Sequence, residues 1–271
     1  MNTFEQAVSA RYASAANQRE EALCCPVNYD ARHLKIIPEE VIEKDYGCGD
    51  PSRHVHAGET VLDLGSGAGK ICFIAAQVVG REGRVIGVDM TEAMLEVARR
   101  NAPIVAERLG YANVEFRKGR IQDLALDLEG KSNPLIKDNS IDVVVSNCVL
   151  NLVASDAKQQ LFRELYRVTK PSGRAVISDI IADRAVPPEM QNDPELWSGC
   201  ISGALALEGF VDAFKQAGFA KVQVLERGVE PWRTVQGIAF WSVTIRADKT
   251  TAETEQPKYN FDLLKIPTKC C

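Results

Sequence analysis

From residue 60 onward, short apolar runs of strand length alternate with longer runs whose apolar residues recur at helical spacing. TVLDL (60–64), RVIGVDM (84–90), NVEFRKG (113–119), IDVVVSN (141–147) and GRAVISDII (173–181) read as five strands. Helical patterns fill the gaps: ICFIAAQVVG (71–80), then 92–110 with Thr91 as N-cap and Pro103 as a point of kinking. A third runs over 155–170, with Ser155 as N-cap and Pro171-Ser172-Gly173 as its stop. A helix at 210–219 leads into two closing strands, KVQVLER (221–227) and GIAFWSVTIRA (237–247). No helical run separates that last pair, so the final strand is expected to return antiparallel. The pattern predicts an α/β fold: a mostly parallel, seven-stranded sheet with helices on both faces.

Residues 1–59 read as an N-terminal extension that covers the active site, and 60–247 as the main domain. The segment 182–207, DRAVPPEMQNDPELWSGCISGAL and its flanks, is an insertion expected to sit over the strand ends. Residues 248–271 read as a flexible polar tail ending in Cys270-Cys271.

A net charge of -5, spread along the chain, offers no general attraction to nucleic acid or an anionic membrane. No apolar stretch reaches the roughly 20 residues of a spanning helix. The first residues, MNTFEQAVSARYASAANQ, lack the apolar centre of a signal peptide, so a cytoplasmic location and a monomer are expected. In a reducing compartment the eight cysteines (24, 25, 48, 72, 148, 200, 270 and 271) are thiols, available as ligands or nucleophiles. There is no CxxC, and the three histidines (33, 54 and 56) all precede the first strand.

In VLDLGSGAGK, glycines 65, 67 and 69 follow a strand directly, letting backbone approach a ligand closely. Asp63 precedes the loop, Ser66 lies within it, and the second strand ends in Asp89, placed to take both ribose hydroxyls. An acid, a Gly-rich loop and a strand ending in an acid resemble the class I S-adenosylmethionine (SAM) methyltransferases, a Rossmann-like fold. The resemblance implies that the loop contacts the amino-acid end of SAM, that Asp89 binds ribose, and that Ile121 or Gln122 packs near adenine. An NAD-dependent dehydrogenase fits less well, because the third glycine is displaced and a strand pair closes the sheet.

Ligands of such folds bind beyond the carboxyl ends of the strands. Cys148 follows strand four there, Cys200 lies in the insertion, and Cys48 is just upstream of strand one. Taken singly, each reads equally well as a small buried hydrophobe, and Cys72, in the first turn of a helix, reads better that way. Together, three thiols suit a soft, thiophilic acceptor such as trivalent arsenic. Its lone pair needs no proton removed, which agrees with the lack of an obvious general base near the site. Structural zinc on the same cysteines is the inorganic alternative, for which the sequence shows no clear fourth ligand.

Tyr46-Gly47-Cys48-Gly49, DLGSGAGK with Cys72, GVDMT, SNCVLNL around Cys148 and LWSGCISGAL around Cys200 are similar to the arsenite SAM methyltransferase family over roughly residues 20–246. That resemblance implies successive methylation of As(III), free or as its thiol conjugates, by SAM. A thiol reductant, glutathione or thioredoxin, would be co-substrate. It implies Cys48, Cys148 and Cys200 as arsenic ligands, and a further redox cysteine at Cys24 or Cys25. Tyr46, Gly47, Asp63, Gly65, Gly67, Asp89, Met90 and Ile121 correspond to SAM-side positions, and Asn147 shapes the same pocket. Many members carry a further C-terminal region that this chain lacks. Trp197 and Trp232 read as core packing, and the terminal Cys pair as a solvated tail or an arsenite-capturing pair. Two other functions remain open at this level: methylation of a small organic acceptor, and metalloid binding without catalysis.

Overall fold

The computed structural model describes residues 3–18, 20, 27–44, 46–131 and 134–250. Five apolar runs form the parallel centre: β1 (Thr60–Leu64), β2 (Arg84–Asp89), β3 (Val114–Lys118), β4 (Ile141–Asn147) and β5 (Thr169–Ala182). With β7 (Lys221–Arg227) and β9 (Ile238–Asp248) they lie in the order β3-β2-β1-β4-β5-β9-β7, with β9 antiparallel to both neighbours. This path has the expected seven strands and the expected reversed last strand. Two short strands bring the sheet to nine: β6 (Leu205–Ala206) beside β5, and β8 (Arg233–Val235) in a hairpin with β9. The hairpin turn, Gln236-Gly237, has positive φ at both residues (49° and 76°), which suits the twist of a two-residue loop.

Alternate residues of a strand face opposite ways, so a two-sided core follows from the apolar runs. Val61, Val85, Val143 and Val176 share one core with α4 (Lys70–Val79) and α5 (Glu92–Leu109). Leu62, Ile86, Val144 and Ile177 share the other with α6 (Lys158–Val168) and α9 (Leu207–Ala217). Pro103 sits inside α5. Three local expectations are corrected. Helix α6 starts at Lys158 with Ala157 as its cap, not Ser155. The Pro-Ser-Gly segment lies within β5, where the register with β4 shifts and Ser172 takes φ 67°. Asp248 and Lys249, read as the beginning of the tail, belong to the fold: Lys249 Nζ donates to Tyr166 O (2.7 Å) and Thr169 O (2.8 Å).

Helices α1 (Thr3–Ala15), α7 (Pro188–Gln191) and α8 (Pro194–Ser198) contribute side chains to the cluster at the carboxyl ends of the strands, while α2 (Ala31–Leu34) and α3 (Glu39–Glu43) pack along α4 and α5. Helix α1 lies on α8: Phe4 and Trp197 rings are 4.7 Å apart, and Arg11 donates to Glu195 O and Ser198 Oγ. Asp193 caps α8, accepting from Glu195 N and Leu196 N. Arg174, nearly buried in β5, pairs with Glu59 at 2.7 Å and ties the segment before β1 to the sheet. No helix among the described residues is long and apolar enough to cross a membrane.

Candidate active site

Cys48, Cys148 and Cys200 lie 7%, 5% and 4% exposed in one buried cluster with Val8, Ile180, Met190 and Trp197. The Sγ atoms of Cys48 and Cys148 and a carboxylate oxygen of Asp179 lie within 4.8 Å of one another. Cys200 stands beside this trio, its thiol donating to Cys148 O at 3.1 Å. Three segments distant in sequence thus deliver three thiols to one place. Trp197 holds the insertion down on it, with Nε1 donating to Leu152 O at 3.0 Å, while Trp232 is half-packed at the edge of the cluster.

Cys148 and Cys200 both take left-handed backbone, φ 61° and 62°. That conformation disfavours side chains with a Cβ, and it persists only where the surroundings enforce it. At Cys148 the enforcing contact is its own N–H, which donates to Ser178 O at 2.8 Å as the chain leaves β4. Strain of this kind concentrates at functional sites.

Asn147, the last residue of β4, positions Cys48. Its Oδ1 accepts from Cys48 N (2.8 Å) and Gly49 N (3.1 Å), and its Nδ2 donates to Gly49 O (2.7 Å) and Tyr29 Oη (3.1 Å). A Cβ on Gly47 would overlap the Asn147 carboxamide, so that glycine is required by the close approach. Tyr46 Oη donates to Ala15 O at 3.0 Å and fastens the same loop to α1.

Beside the thiols, a cavity opens at the switch point where β1 has β2 on one side and β4 on the other. Its walls include every SAM-side residue expected from the sequence except Gly69. Gly69 instead caps α4 in a left-handed turn (φ 94°), where a Cβ would press on the Phe116 ring. Cys148 is on the wall of both the cavity and the thiol cluster. Asp89 accepts from Gly67 N (2.9 Å) and Thr91 N (2.8 Å), and Thr91 stands at the N-cap of α5 without a side-chain hydrogen bond to the helix. Burial raises the Asp89 pKa against those donors. Ser66 Oγ is buried with no hydrogen-bond partner in the structure, on a wall that Gly67 leaves open. An orphaned hydroxyl, an open glycine cradle and a buried acid suit a ligand rich in hydroxyl and amino groups. Gln122 donates to Glu5 at 3.0 Å, closing the far end with α1. Cys72 is fully buried and donates its thiol to Asp63 Oδ2 at 3.2 Å; burial, then the Asp63 charge, push its pKa well up.

The expectation of no base-like group near the site is corrected by Asp179. None of the histidines lines the cavity or joins the trio, whereas Asp179 is fully buried beside two thiols. Its signal was present in GRAVISDII, as one acid within an apolar strand. Burial raises its pKa to about 6, opposed by hydrogen bonds from Ile180 and Asn151 and by the Lys158 charge. Lys158, buried in α6, is lowered to about 8 by desolvation and donates to Gly203 O at 2.6 Å. Tyr12 of α1 also escaped notice, for nothing in its sequence neighbourhood distinguishes it. It reaches Cys200 Sγ at 4.0 Å, and burial, then the neighbouring thiols, raise its pKa. Cys24, Cys25, Cys270 and Cys271 lie outside the described residues.

A stability test follows from Asp179. Folded, it keeps its proton up to about pH 6, while the unfolded carboxyl releases it near 4. The folded state therefore binds more protons between those values, and the stabilisation present below about pH 4 is lost as pH rises towards 6. Urea unfolding at pH 4, 5 and 7 should show this fall, worth about 2 kcal/mol. Asp179→Asn should flatten it; an unchanged slope in that variant assigns the fall to other groups.

A methyltransferase-domain family matches residues 55–237. An arsenite methyltransferase of Aquipseudomonas alcaligenes is 43% identical over 193 residues, 71% of this chain and 53% of that protein. The human arsenite methyltransferase is 35% identical over 224 residues, 80% of this chain and 57% of its own length. The chain spans about half the length of the curated relatives it matches. A solved arsenic(III) S-adenosylmethionine methyltransferase from Chlamydomonas reinhardtii superposes with a TM-score of 0.74 at 35% identity, covering 86% of this chain and 77% of that one. This chain belongs to the methyltransferase-domain family, in its arsenite S-adenosylmethionine methyltransferase branch.

Proposed function

We propose that the protein transfers methyl groups from SAM to arsenic(III) held by Cys48, Cys148 and Cys200. The observation that carries this reading is the meeting of those thiols in one buried cluster whose Cys148 also walls the glycine-loop cavity. The similarity to arsenic(III) methyltransferases supports the same acceptor.

The cavity residues suit SAM. Asp89 would take the ribose hydroxyls, the Gly65–Gly67 backbone and Asp63 the amino-acid end, and Ile121 the adenine face. Bound there, SAM supplies a methyl carbon activated by its sulfonium. Each thiol replaces one arsenic hydroxyl, and the thiol proton leaves with that hydroxide as water. Three As–S bonds leave arsenic pyramidal, with a lone pair that needs no base to expose it. Cys200 completes the set by turning from Cys148 O to the metalloid. Trp197, Met190 and Val8 keep water from the thiols, and Asn147 fixes Cys48 relative to β4. Alignment of the reactants is the protein's main contribution. The same reading includes glutathione or thioredoxin as reductant, Cys24 or Cys25 as redox partner of Cys48, and a monomer working in the cytoplasm.

The deciding experiment incubates the reduced protein with SAM, glutathione and arsenite, then separates the arsenic species by chromatography. Methylated arsenic with matching S-adenosylhomocysteine is expected. Arsenite binding without S-adenosylhomocysteine would leave only a metalloid-binding protein. Asp89→Ala should weaken SAM about 10- to 100-fold by calorimetry, the loss of hydrogen bonds to a charged group. A change under threefold would remove Asp89 from the cofactor site.

A further inference from the structure

We infer that Cys48, Cys148 and Asp179 form a binding site for one divalent thiophilic cation of the zinc class, sharing two thiols with the arsenic site and so excluding arsenite. The cation site stands on its donor set; only the competition rests on the function proposed above. The sequence offered no clear fourth ligand for zinc, and the fold supplies a carboxylate from near the carboxyl end of β5.

The three donor atoms lie within 4.8 Å of one another, and all three residues are buried. Zinc binds thiolate at about 2.3 Å and carboxylate at about 2.0–2.2 Å, which puts neighbouring donors of one tetrahedral ion roughly 3.5–3.8 Å apart. A contraction of about an ångström closes that gap, within the reach of side-chain rotation.

The Asp179 carboxylate is already aimed. Its Oδ1 accepts from Asn151 Nδ2 (2.9 Å) and Ile180 N (2.8 Å), and its Oδ2 accepts from Asn151 N at 3.3 Å. Hydrogen bonds of this kind orient metal-binding carboxylates. Ligand chemistry then separates the two guests. Arsenic(III), with three ligands and a lone pair, is served by three thiolates and has little use for a hard oxygen. A zinc-class cation accepts oxygen and sulfur together and prefers four ligands. Two thiolates and a carboxylate supply three ligands and more than neutralise the ion, and water completes the tetrahedron. Cys200 can keep its bond to Cys148 O. The two thiol protons pass to solvent, so binding releases two protons per ion and no oxidant or reductant takes part.

The test uses the full chain, reduced, with Cys24, Cys25, Cys270 and Cys271 replaced by Ser so that they cannot chelate. Cobalt(II) is titrated in as a spectroscopic stand-in for zinc. We expect the intense visible bands of a tetrahedral ion and a sulfur-to-cobalt charge-transfer band, saturating at one ion per chain and abolished by added zinc. Asp179→Asn should weaken binding at least about tenfold, and Cys200→Ser should leave it within about threefold. No tetrahedral spectrum, an unaffected Asp179→Asn variant, or loss of the bands in Cys200→Ser overturns the proposal. The last outcome would mean a site of three thiols alone, and it decides the matter if Asp179→Asn does not fold. Arsenite protection of the thiols from iodoacetamide reports separately on the arsenic site and should need Cys200. Cobalt binding without arsenite protection therefore supports the cation site while removing the arsenic reading.

Discussion

Cys148→Ser should lower arsenite methylation at least about 100-fold, equivalent to roughly 2.7 kcal/mol of transition-state stabilisation. Among the described residues Cys148 is the one thiol that belongs to both the buried thiol cluster and the cavity wall, so under the proposed function its loss would remove an As–S bond at the point of transfer. A hydroxyl is nearly isosteric but hard, and it binds soft arsenic poorly. Affinity for SAM should stay within a few-fold, because the glycine loop and Asp89 are untouched. Methylarsenic production under saturating SAM, alongside calorimetry of SAM binding, checks both halves. A variant retaining a third of the activity would remove Cys148 from the arsenic ligands.

The second large effect is expected at Asn147. Asn147→Leu keeps the volume but deletes the two hydrogen bonds that Oδ1 accepts from Cys48 N and Gly49 N and the two that Nδ2 donates to Gly49 O and Tyr29 Oη. Leaving buried groups unsatisfied costs about 1–3 kcal/mol each. We expect the midpoint of urea unfolding to fall by an amount equivalent to about 3 kcal/mol. Arsenite methylation should fall at least about 30-fold, which is about 2 kcal/mol. Cys48 should also be alkylated faster than in the parent, since the loop carrying it is no longer tied to β4. If stability falls while Cys48 remains as protected as before, Asn147 is a packing residue and not the one that positions the thiol.

Much of this was legible before any coordinates. Strand runs such as VVVSN and the loop LGSGAGK state their roles locally, because burial on both faces demands unbroken apolar residues and a tight ligand approach demands glycine. The family motifs around Cys48, Cys148 and Cys200 were equally local. What escaped was non-local or masked by context. The Gln236-Gly237 turn makes β8 only because β9 is there to receive it. Gly69 has the right spacing for a ligand loop, yet the Phe116 ring, far along the chain, gives it a packing role.

From residue order alone came the parallel α/β plan, the position of the cofactor loop and the three thiols worth watching, since each depends on near neighbours in the chain. Only the folded chain decided that Cys48 and Cys148 come within 4.8 Å of a buried Asp179, that Cys200 waits on Cys148 O, and that Asn147 joins the loop to the sheet. Those are contacts between segments far apart in sequence, and their distances are set by how β4, β5 and the covering helices pack, which no local pattern encodes.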